Sequence, residues 1–370
     1  MTRQSIIEAI KMSNILGLDI GGANTKFALI QKKEPPQEAE ILLVGSDYFP
    51  FWKKHQEYPT YLEQLVAKLT GQGYSWEQVV FVTTAELADC FHTKKEGIGT
   101  ICQYVLQAFT KEKDKMEPLI LDINGKFIPA TRAEKSWLEV SATNWIAAAN
   151  YLGKKYPNSL LIDIGSTTTD LIPIRNGTII AQGRTDLERL ITSELVYSGL
   201  LRTNVAAIVQ QVTLQGKMIP IASELFATTG DIYLLLGDIT EEEFTVETAD
   251  GKPATVEHAK ARLARIVCAD INQLTTEEIM QIAKQIRKRQ LTQISQAFNK
   301  ILTDYRNRYS LNPTIILTGA GAKSLGIALL RENGIYEQQL LDESLGKKES
   351  IALPAVAVAA LFQRESKKEG

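Results

Sequence analysis

The sequence contains one short pattern twice, LDIGGANTK at residues 18–26 and IDIGSTTTD at residues 162–170. In each copy an apolar stretch ends in Asp-Ile-Gly, small hydroxyl or amide residues follow, and another stretch begins. The pattern predicts a β-hairpin whose tip has almost no side-chain bulk, with glycine supplying backbone freedom, including positive φ, and close approach. Asp-Ile-Gly alone could be a simple turn, but two copies with matching flanks predict one hairpin in each half of the chain.

Hairpin tips of this kind suit phosphate, because backbone amides and hydroxyls can surround its oxygens. Asp19 and Asp163 stand at the strand ends, where we expect them to point into a cleft between the two halves. Carboxylates there suit a hydrated Mg²⁺, so both are predicted to be metal-binding and catalytic. The phosphate-binding candidates of the two tips are Gly21, Gly22, Asn24, Thr25, Lys26, Gly165, Ser166, Thr167 and Thr168.

A third element is the apolar strand and glycine-rich turn TIILTGAGA at residues 314–322. Without side-chain bulk at Gly319, Ala320 and Gly321, a flat base or a ribose could lie against the backbone. The turn lacks the third glycine of a dinucleotide fingerprint, and no GxxxxGK[ST] loop occurs in the chain. The sequence therefore excludes Rossmann and P-loop nucleotide sites.

Length and composition set wider limits on the class of protein. The chain has 370 residues, which predicts two domains, and 41 basic against 43 acidic residues give a net charge of −2. This balance argues against nucleic acid or an anionic membrane as a partner. With neither a membrane-length apolar run nor a signal peptide, we expect a cytoplasmic protein.

Apolar stretches alternate with helical patterns, which predicts an α/β fold. Helices are expected at 61–69, 99–109 and 137–152, the last with Trp137 and Trp145 on one core-facing side. The longest pattern covers 279–302 and follows a capping box at 275–278, and small residues at 351–362 suit a closely packed C-terminal helix. Strands are predicted at 15–20, 26–30, 41–44, 79–82, 119–123, 160–164, 171–174, 178–181 and 314–317.

Cysteine and histidine are sparse. The three cysteines lack CxxC spacing, so the sequence signals neither a disulfide framework nor a zinc site. Cys90 and Cys268 are interpreted as buried small hydrophobes, and His55, His92 and His258 as surface residues. The basic cluster at residues 287–289 is interpreted as a solvated helix face.

Polar residues after the strand at 79–82 are further candidates for the site. Thr83 and Thr84 could donate to phosphate, although Thr84 could equally cap a helix. Glu86 and Asp89 are three residues apart, hence on one face of such a helix, and Glu86 is a catalytic candidate.

The second half of the chain offers more candidates. Asp186 is a catalytic candidate that could instead cap a helix at 187–195. Arg184 and Arg202 are candidates for binding a substrate anion, because arginine favours bidentate contacts. Glu224 and Asp231 flank a small-residue turn and complete the substrate-binding candidates.

The order of hairpin, hairpin and glycine-rich turn resembles the actin, sugar-kinase and Hsp70 ATPase superfamily. Several segments further resemble one branch of the hydantoinase A/oxoprolinase family, that of tetrahydromethanopterin-linked C1-transfer pathway proteins. The resemblance extends from about residue 16 to about residue 326. The segments include TTAELADCF at 83–91, DIGSTTTDLIPI at 163–174, GRTDLERL at 183–190, ELVYSGLLRTNV at 194–205 and SELFATTGD at 223–231.

The superfamily resemblance implies two RNase-H-like domains with a phosphate-binding cleft between them. We expect one domain at 15–155 plus 350–366 and the other at 156–349, with 1–14 as an extension or a mis-called start. The branch includes an archaeal methanofuran-biosynthesis synthase that joins an aminomethyl-furanmethyl diphosphate to the phenol of γ-glutamyltyramine and releases diphosphate. It thus implies a Mg²⁺-dependent transferase acting on small molecules.

Two other functions stay open at this point, an ATP-dependent hydrolase of a cyclic amide and a small-molecule kinase. The sequence also leaves open whether ATP binds and whether the chain forms a homodimer.

Overall fold

The computed structural model describes residues 14–33, 39–110 and 116–365. The proposed extension at 1–14 falls almost wholly outside the described residues. The chain folds into two compact units. The first takes the described residues up to Pro157, the segment Asn176–Ile179 and the residues from Leu345 onward; the second takes Asn158–Arg175 and Ile180–Ser344.

The first unit is built on a mixed sheet with the strand order β3-β2-β1-β4-β5-β6. Its central strand β1 pairs antiparallel with β2 on one side and parallel with β4 on the other. All seven residues of β1 are buried, as expected for a strand covered on both faces. The six strands are β1, Asn14–Ile20; β2, Asn24–Gln31; β3, Glu40–Tyr48; β4, Gln78–Thr83; β5, Leu119–Leu121; and β6, Phe127–Pro129.

The second unit has a sheet with the order β10-β8-β7-β13-β14. Its central strand β7 pairs antiparallel with β8 and parallel with β13, which repeats the arrangement around β1. The predicted α/β fold with two similar halves is therefore confirmed. The strands of this sheet are β7, Ser159–Ile164; β8, Thr169–Arg175; β10, Leu195–Val196; β13, Thr314–Thr318; and β14, Gln339–Leu340. Strands β11, Gln211–Leu214, and β12, Lys217–Pro220, form a separate two-stranded sheet, and β9, Thr178–Ile179, lies in the segment grouped with the first unit.

Helices cover the sheets and fill the connections between strands. They are α1, Phe51–Lys54; α2, Tyr58–Gly71; α3, Lys94–Phe109; α4, Trp137–Val140; α5, Asn144–Gly153; α6, Asp186–Thr192; α7, Thr229–Leu235; α8, Val256–Arg265; α9, Thr276–Tyr309; α10, Ile327–Glu332; α11, Leu341–Leu345; α12, Lys347–Ile351; and α13, Leu353–Glu365. Short 3₁₀ turns occupy His55–Glu57, Ala130–Ser136 and Val205–Ala207, and a π turn occupies Ala322–Gly326. No helix within the described ranges combines the length and the apolar character needed to cross a bilayer.

The single helix predicted for 137–152 is wrong. The chain breaks between α4 and α5, where Ala142 takes a left-handed φ of 50°. The Ser141 hydroxyl donates to the Trp137 carbonyl, and the Thr143 hydroxyl donates to the Leu121 carbonyl. Trp145 is still buried, but it does not share a helical face with Trp137.

Two other helix predictions are confirmed. Helix α9 begins with the predicted capping box, in which Thr275 and Glu278 bond each other's backbone N–H. Helix α13 packs on β1 so closely that a Cβ at Gly17 would lie 2.2 Å from the Ala355 carbonyl oxygen. Small residues are therefore needed on both sides of this contact.

The basic cluster at residues 287–289 lies on a face of α9 that is open to solvent, as predicted. Lys288 and Arg289 are exposed, and Arg287 lies 3.4 Å from Asp238.

Candidate active site: the two glycine hairpins

The two sequence repeats form hairpins with the same hydrogen bonds. The Gly21 amide donates to the Asn24 carbonyl at 3.0 Å, and the Gly165 amide donates to the Thr168 carbonyl at 2.9 Å. Beside each hairpin, the loop after the parallel strand donates one amide to the last residue of the central strand. The Thr84 amide donates to the Ile20 carbonyl, and the Gly321 amide donates to the Ile164 carbonyl, both at 2.9 Å.

The tip glycines leave space but do not use positive φ. Gly21, Gly22 and Gly165 are not among the described glycines with positive φ, so these tips do not use the left-handed backbone that glycine permits. A Cβ at Gly22 would meet none of the described atoms within 4 Å, and one at Gly165 would meet only the Thr168 carbonyl oxygen at 3.6 Å. Neither residue is therefore required to be glycine by packing against the protein.

A supporting segment binds the carbonyls of the first tip. The Phe51 amide donates to the Gly22 carbonyl at 2.9 Å, and the Phe49 amide donates to the Ala23 carbonyl at 3.0 Å. In a trans peptide the carbonyl and the following N–H point in opposite directions. The Ala23 N–H is therefore directed away from the supporting segment.

The second tip is held in the same way by the loop that follows β10. The Leu200 amide donates to the Gly165 carbonyl, and the Leu201 and Arg202 amides donate to the Ser166 carbonyl, all at 2.9 Å. The Ser166 and Thr167 N–H groups consequently point away from this loop. The side chains of Ser166, Thr167 and Thr168 are half-buried, so this tip combines amide and hydroxyl donors.

Asp19 lies near the end of β1, at the base of the first hairpin. It is 3% exposed, and its Oδ2 lies 3.2 Å from the Nζ of Lys26, its cross-strand neighbour. Its Oδ1 is buried and has no hydrogen-bond partner within the described part of the chain. An unsatisfied buried carboxylate oxygen is costly, and a bound cation or water would relieve that cost.

Asp163, in the equivalent position of the second hairpin, has a different neighbour. Its cross-strand partner is Asp170, which forms a 2.8 Å ion pair with Arg189, a side chain that is 1% exposed. Burial raises the pKa of the Asp170 carboxyl, and Arg189 opposes that rise. Neither Asp170 nor Arg189 was among the site residues predicted from the sequence, although Asp170 occupies the repeat position that Lys26 holds in the first copy.

Two predicted phosphate-binding threonines serve the interior instead. Thr25 is fully buried, and its hydroxyl is 2.9 Å from the Tyr58 hydroxyl, so it is turned away from the tip. Thr83 donates its hydroxyl to the Ile20 carbonyl and accepts from the Ala85 amide. Thr84, in contrast, lies beside the tip, with its hydroxyl 3.6 Å from a Cβ built on Gly21.

The helix expected around Glu86 and Asp89 is wrong. This stretch forms turns, and α3 begins only at Lys94, with Thr93 as its cap. The two carboxylates therefore do not share a helical face. Glu86 is nevertheless 1% exposed, two residues after Thr84, while Asp89 belongs to the same turn segment.

Arg184 lies on a loop that two carboxylates hold, and Asp186 is the first residue of the helix that follows this loop. Glu194 accepts from the amides of Gln182 and Gly183, and Glu188 accepts from those of Arg184 and Thr185. Thr185 caps α6, so the alternative with Asp186 as the cap is wrong, and the helix ends at Thr192 rather than 195.

Of the remaining predicted substrate-binding residues, Arg202 adjoins the second tip, whereas Asp231 and Glu224 are not bonded to it within the described part of the chain. Arg202 is joined to the second tip by its own amide, as described above. Asp231 is fully buried, 2.7 Å from Arg262, and its carboxylate also caps α7, while Glu224 is exposed. These contacts give Asp231 a structural part inside the second unit.

The glycine-rich turn after β13 lies against the second hairpin. A Cβ at Gly319, whose φ is 86°, would be 2.4 Å from Asp163 Oδ1, and one at Gly321 would be 2.4 Å from Ile164 Cγ2. Close packing inside the protein thus accounts for both glycines. Ala320 lies between them and is exposed.

Cysteine and histidine do not enter these hairpins. Cys268 is exposed, which corrects the expectation of a buried residue, while Cys90 is partly buried against the core. His92 is exposed, but His55 and His258 are half-buried, with His55 stacked among aromatic rings. Within residues 14–33, 39–110 and 116–365, no group of three or more His, Cys, Asp or Glu side chains could hold a metal ion.

The sequence of the chain matches a known protein family. The model of the hydantoinase/oxoprolinase family matches residues 77–365. A protein of Methanocaldococcus jannaschii named (4-{4-[2-(gamma-L-glutamylamino)ethyl]phenoxymethyl}furan-2-yl)methanamine synthase is 39% identical over 352 residues, which cover 95% of this chain and 98% of the relative. A Methanococcus vannielii protein of the same name is 36% identical over 210 residues, 56% of this chain and 92% of that protein.

Among solved structures, a nucleotide-free acetone carboxylase, described as acting by ATP-dependent carboxylation, has a TM-score of 0.51 at 11% identity. The match covers 94% of this chain and 70% of the carboxylase, and it establishes a shared fold. The chain belongs to the hydantoinase/oxoprolinase family.

Proposed function

We propose that the chain is a transferase that forms an aryl ether. It would join the methylene carbon of an aminomethyl-furanmethyl diphosphate to the phenol oxygen of a γ-glutamyltyramine-like acceptor. The new bond is O–CH₂, the broken bond is CH₂–O of the diphosphate ester, and the products are the ether, diphosphate and the phenol proton. The observation that carries the proposal is the 39% identity, over 95% of the chain, to a synthase named for such a phenoxymethyl-furan product.

The hairpin tips support a diphosphate leaving group. Each directs at least one backbone N–H away from its supporting segment, beside a glycine whose missing side chain leaves space. Donors that are fixed before the ligand arrives stabilise developing negative charge without reorganisation. We assign phosphate binding to Gly21, Gly22, Asn24 and Lys26 in the first hairpin and to Gly165, Ser166, Thr167 and Thr168 in the second, with Thr84 beside the first tip. The amides of Gly21 and Gly165 are bonded within their hairpins, so the outward backbone donors are those of Ala23, Ser166 and Thr167.

The carboxylates at the hairpin bases fit Mg²⁺. Carboxylate oxygens are its preferred protein ligands, and the buried, unpartnered Oδ1 of Asp19 is a suitable donor. We assign Asp19 and Asp163 as the candidate Mg²⁺ ligands, each in its own hairpin. A bound ion would keep most of its water, because no group of three or more His, Cys, Asp or Glu side chains within the described residues could hold a metal. When bound, Mg²⁺ neutralises charge on the leaving diphosphate.

The acceptor needs a base and a charge partner. A free phenol has a pKa of about 10, so its proton must be accepted as the ether forms. Glu86 and Asp186 are our candidates for that base, because Glu86 is a buried carboxylate two residues after Thr84 and Asp186 begins α6. Arg202 and the exposed Arg184 are candidates for anionic groups of the substrates.

The second candidate function is ATP-dependent hydrolysis of a cyclic amide, which the family name favours. A kinase would need the same hairpins and ATP. Against a nucleotide at the glycine-rich turn, the contacts of Gly319 and Gly321 account for both glycines without a ligand.

The test combines the purified chain with the furanmethyl diphosphate, γ-glutamyltyramine and Mg²⁺. We expect one diphosphate released per ether, measured by a coupled diphosphate assay and by product mass. Asp163→Asn should keep the circular dichroism spectrum and lose both signals. ATP turnover that depends on 5-oxoproline or a hydantoin, with no ether formed, would overturn the transferase in favour of the hydrolase.

A further inference from the structure

Gln290 is a polar side chain in the middle of the long helix α9, and it is fully buried. A buried amide is costly unless its hydrogen bonds are made. Its Oε1 accepts from the Tyr233 hydroxyl at 2.8 Å, and its Nε2 donates to the Ser198 Oγ and the Gly199 carbonyl, both at 2.9 Å. Because a carbonyl can only accept, the Gly199 contact fixes the orientation of the amide.

The residues that Gln290 holds begin the loop that supports the second hairpin. A Cβ at Gly199 would lie 2.7 Å from both the Gly165 carbonyl oxygen and the Thr167 nitrogen, so loop and tip are in direct contact. The next residues, Leu200 and Leu201, donate to the tip carbonyls. A shift of Gly199 would therefore move the peptide planes that carry the Ser166 and Thr167 N–H groups.

A second side chain fixes the same carbonyl from another helix. Thr229, at the start of α7, donates its hydroxyl to the Gly199 carbonyl at 3.0 Å. Tyr233 lies on the same helix, and its hydroxyl donates to Gln290 rather than to a residue of the loop. Gln290 therefore forms hydrogen bonds both to the loop, at Ser198 and Gly199, and to helix α7, at Tyr233.

We propose that Gln290 is a positioning residue for diphosphate binding, acting through the loop of Ser198, Gly199, Leu200 and Leu201 on the tip of the second hairpin. The inference rests on the proposed function for the identity of the ligand. It predicts that loss of the Gln290 amide weakens diphosphate binding without affecting the phenol acceptor.

The test uses Gln290→Leu and, as a matched control, Tyr233→Phe, which removes a buried bond of the same network but none to the loop. The dissociation constant of inorganic diphosphate with Mg²⁺ is measured by calorimetry on the full chain. We expect Gln290→Leu to weaken binding about tenfold, the scale of one or two net hydrogen bonds, and Tyr233→Phe to change it less than about twofold. Both variants should unfold at a lower temperature than the wild type.

Steady-state kinetics separate positioning from general damage. Gln290→Leu should raise KM for the furanmethyl diphosphate and leave KM for the phenol unchanged. If Gln290→Leu does not fold, Ser198→Ala removes one of its two loop contacts and should give a smaller shift in the same direction. Equal diphosphate affinity in all variants, or equal weakening by Gln290→Leu and Tyr233→Phe, would overturn the inference. A wild type that does not bind diphosphate would instead overturn the proposed function.

Discussion

The two hairpins have the same backbone hydrogen bonds but differ in the residue that pairs, on the neighbouring strand, with their equivalent aspartates. In the first, Asp19 faces Lys26, whose side chain is 27% exposed. In the second, Asp163 faces Asp170, whose charge is matched by Arg189 from inside the unit. One hairpin thus offers a cation at its own surface, whereas the other offers a second carboxylate and keeps its cation buried. A repeated fold can therefore carry two different charge arrangements at one backbone position.

The supports behind the hairpins differ as well. The first is backed by aromatic rings, with Phe49 and Phe51 on the supporting segment and the Tyr58 hydroxyl on Thr25. The second is backed by the polar side chains Gln290 and Thr229. Polar networks fix geometry only when all their members are satisfied, so the second hairpin is the more sensitive to a single lost donor.

The largest effect should come from removing the buried cation. Arg189→Leu leaves Asp170 buried without its partner, and we expect a loss of about 3–5 kcal/mol in the free energy of unfolding, measured by urea denaturation. Lys26→Met should cost less, about 1 kcal/mol, because the Lys26 side chain is 27% exposed and water can take its place beside the Asp19 carboxylate. The double variant Arg189→Leu/Asp170→Leu should recover most of the loss. Equal costs for Arg189→Leu and Lys26→Met would contradict the difference between the hairpins.

The next effect concerns the ligand rather than the fold. Gly165→Val and Gly22→Val place a side chain where the protein itself leaves space, so the free energy of unfolding should change by about 1 kcal/mol or less. Affinity for Mg²⁺-diphosphate should fall about tenfold or more, because the branched side chain excludes phosphate from the tip. Calorimetric titration measures this affinity.

The comparison of the two variants assigns the ligand to a hairpin. Equal losses would mean that both tips contact diphosphate, and a loss in one variant alone would restrict the contact to that tip. Unchanged affinity in both would show that neither tip is a phosphate loop. Gly199→Ala is the control, because its Cβ would collide with the Gly165 carbonyl oxygen and should destabilise the chain.

The sequence was sufficient for the hairpins and insufficient for what surrounds them. Asp-Ile-Gly followed by small residues is a local pattern, and the two copies predicted both β1–β2 and β7–β8. The contacts of Thr25 with Tyr58 and of Asp170 with Arg189 join residues 33 and 19 positions apart, and no local pattern encodes them. Gln290 is 91 residues from Gly199, in a helix whose apolar periodicity conceals one buried amide. The broken helix at Ala142 was missed because side-chain bonds of Ser141 and Thr143 to the backbone outweigh a continuous helical pattern.

The smallest effect is a pH dependence confined to the second hairpin. Burial raises the pKa of Asp170 above its ordinary 3.8, so the folded chain binds this proton more tightly than the unfolded chain. The unfolding free energy that Asp170 contributes must then fall as pH rises from about 3.8 through the raised pKa. Asp170→Asn cannot titrate at this position, so the unfolding free energy of the wild type minus that of the variant should fall over that interval, measured by urea denaturation at a series of pH values. If the wild type instead gains stability relative to the variant as pH rises, Arg189 outweighs burial, and the folded chain holds Asp170 ionised more readily than the unfolded chain does.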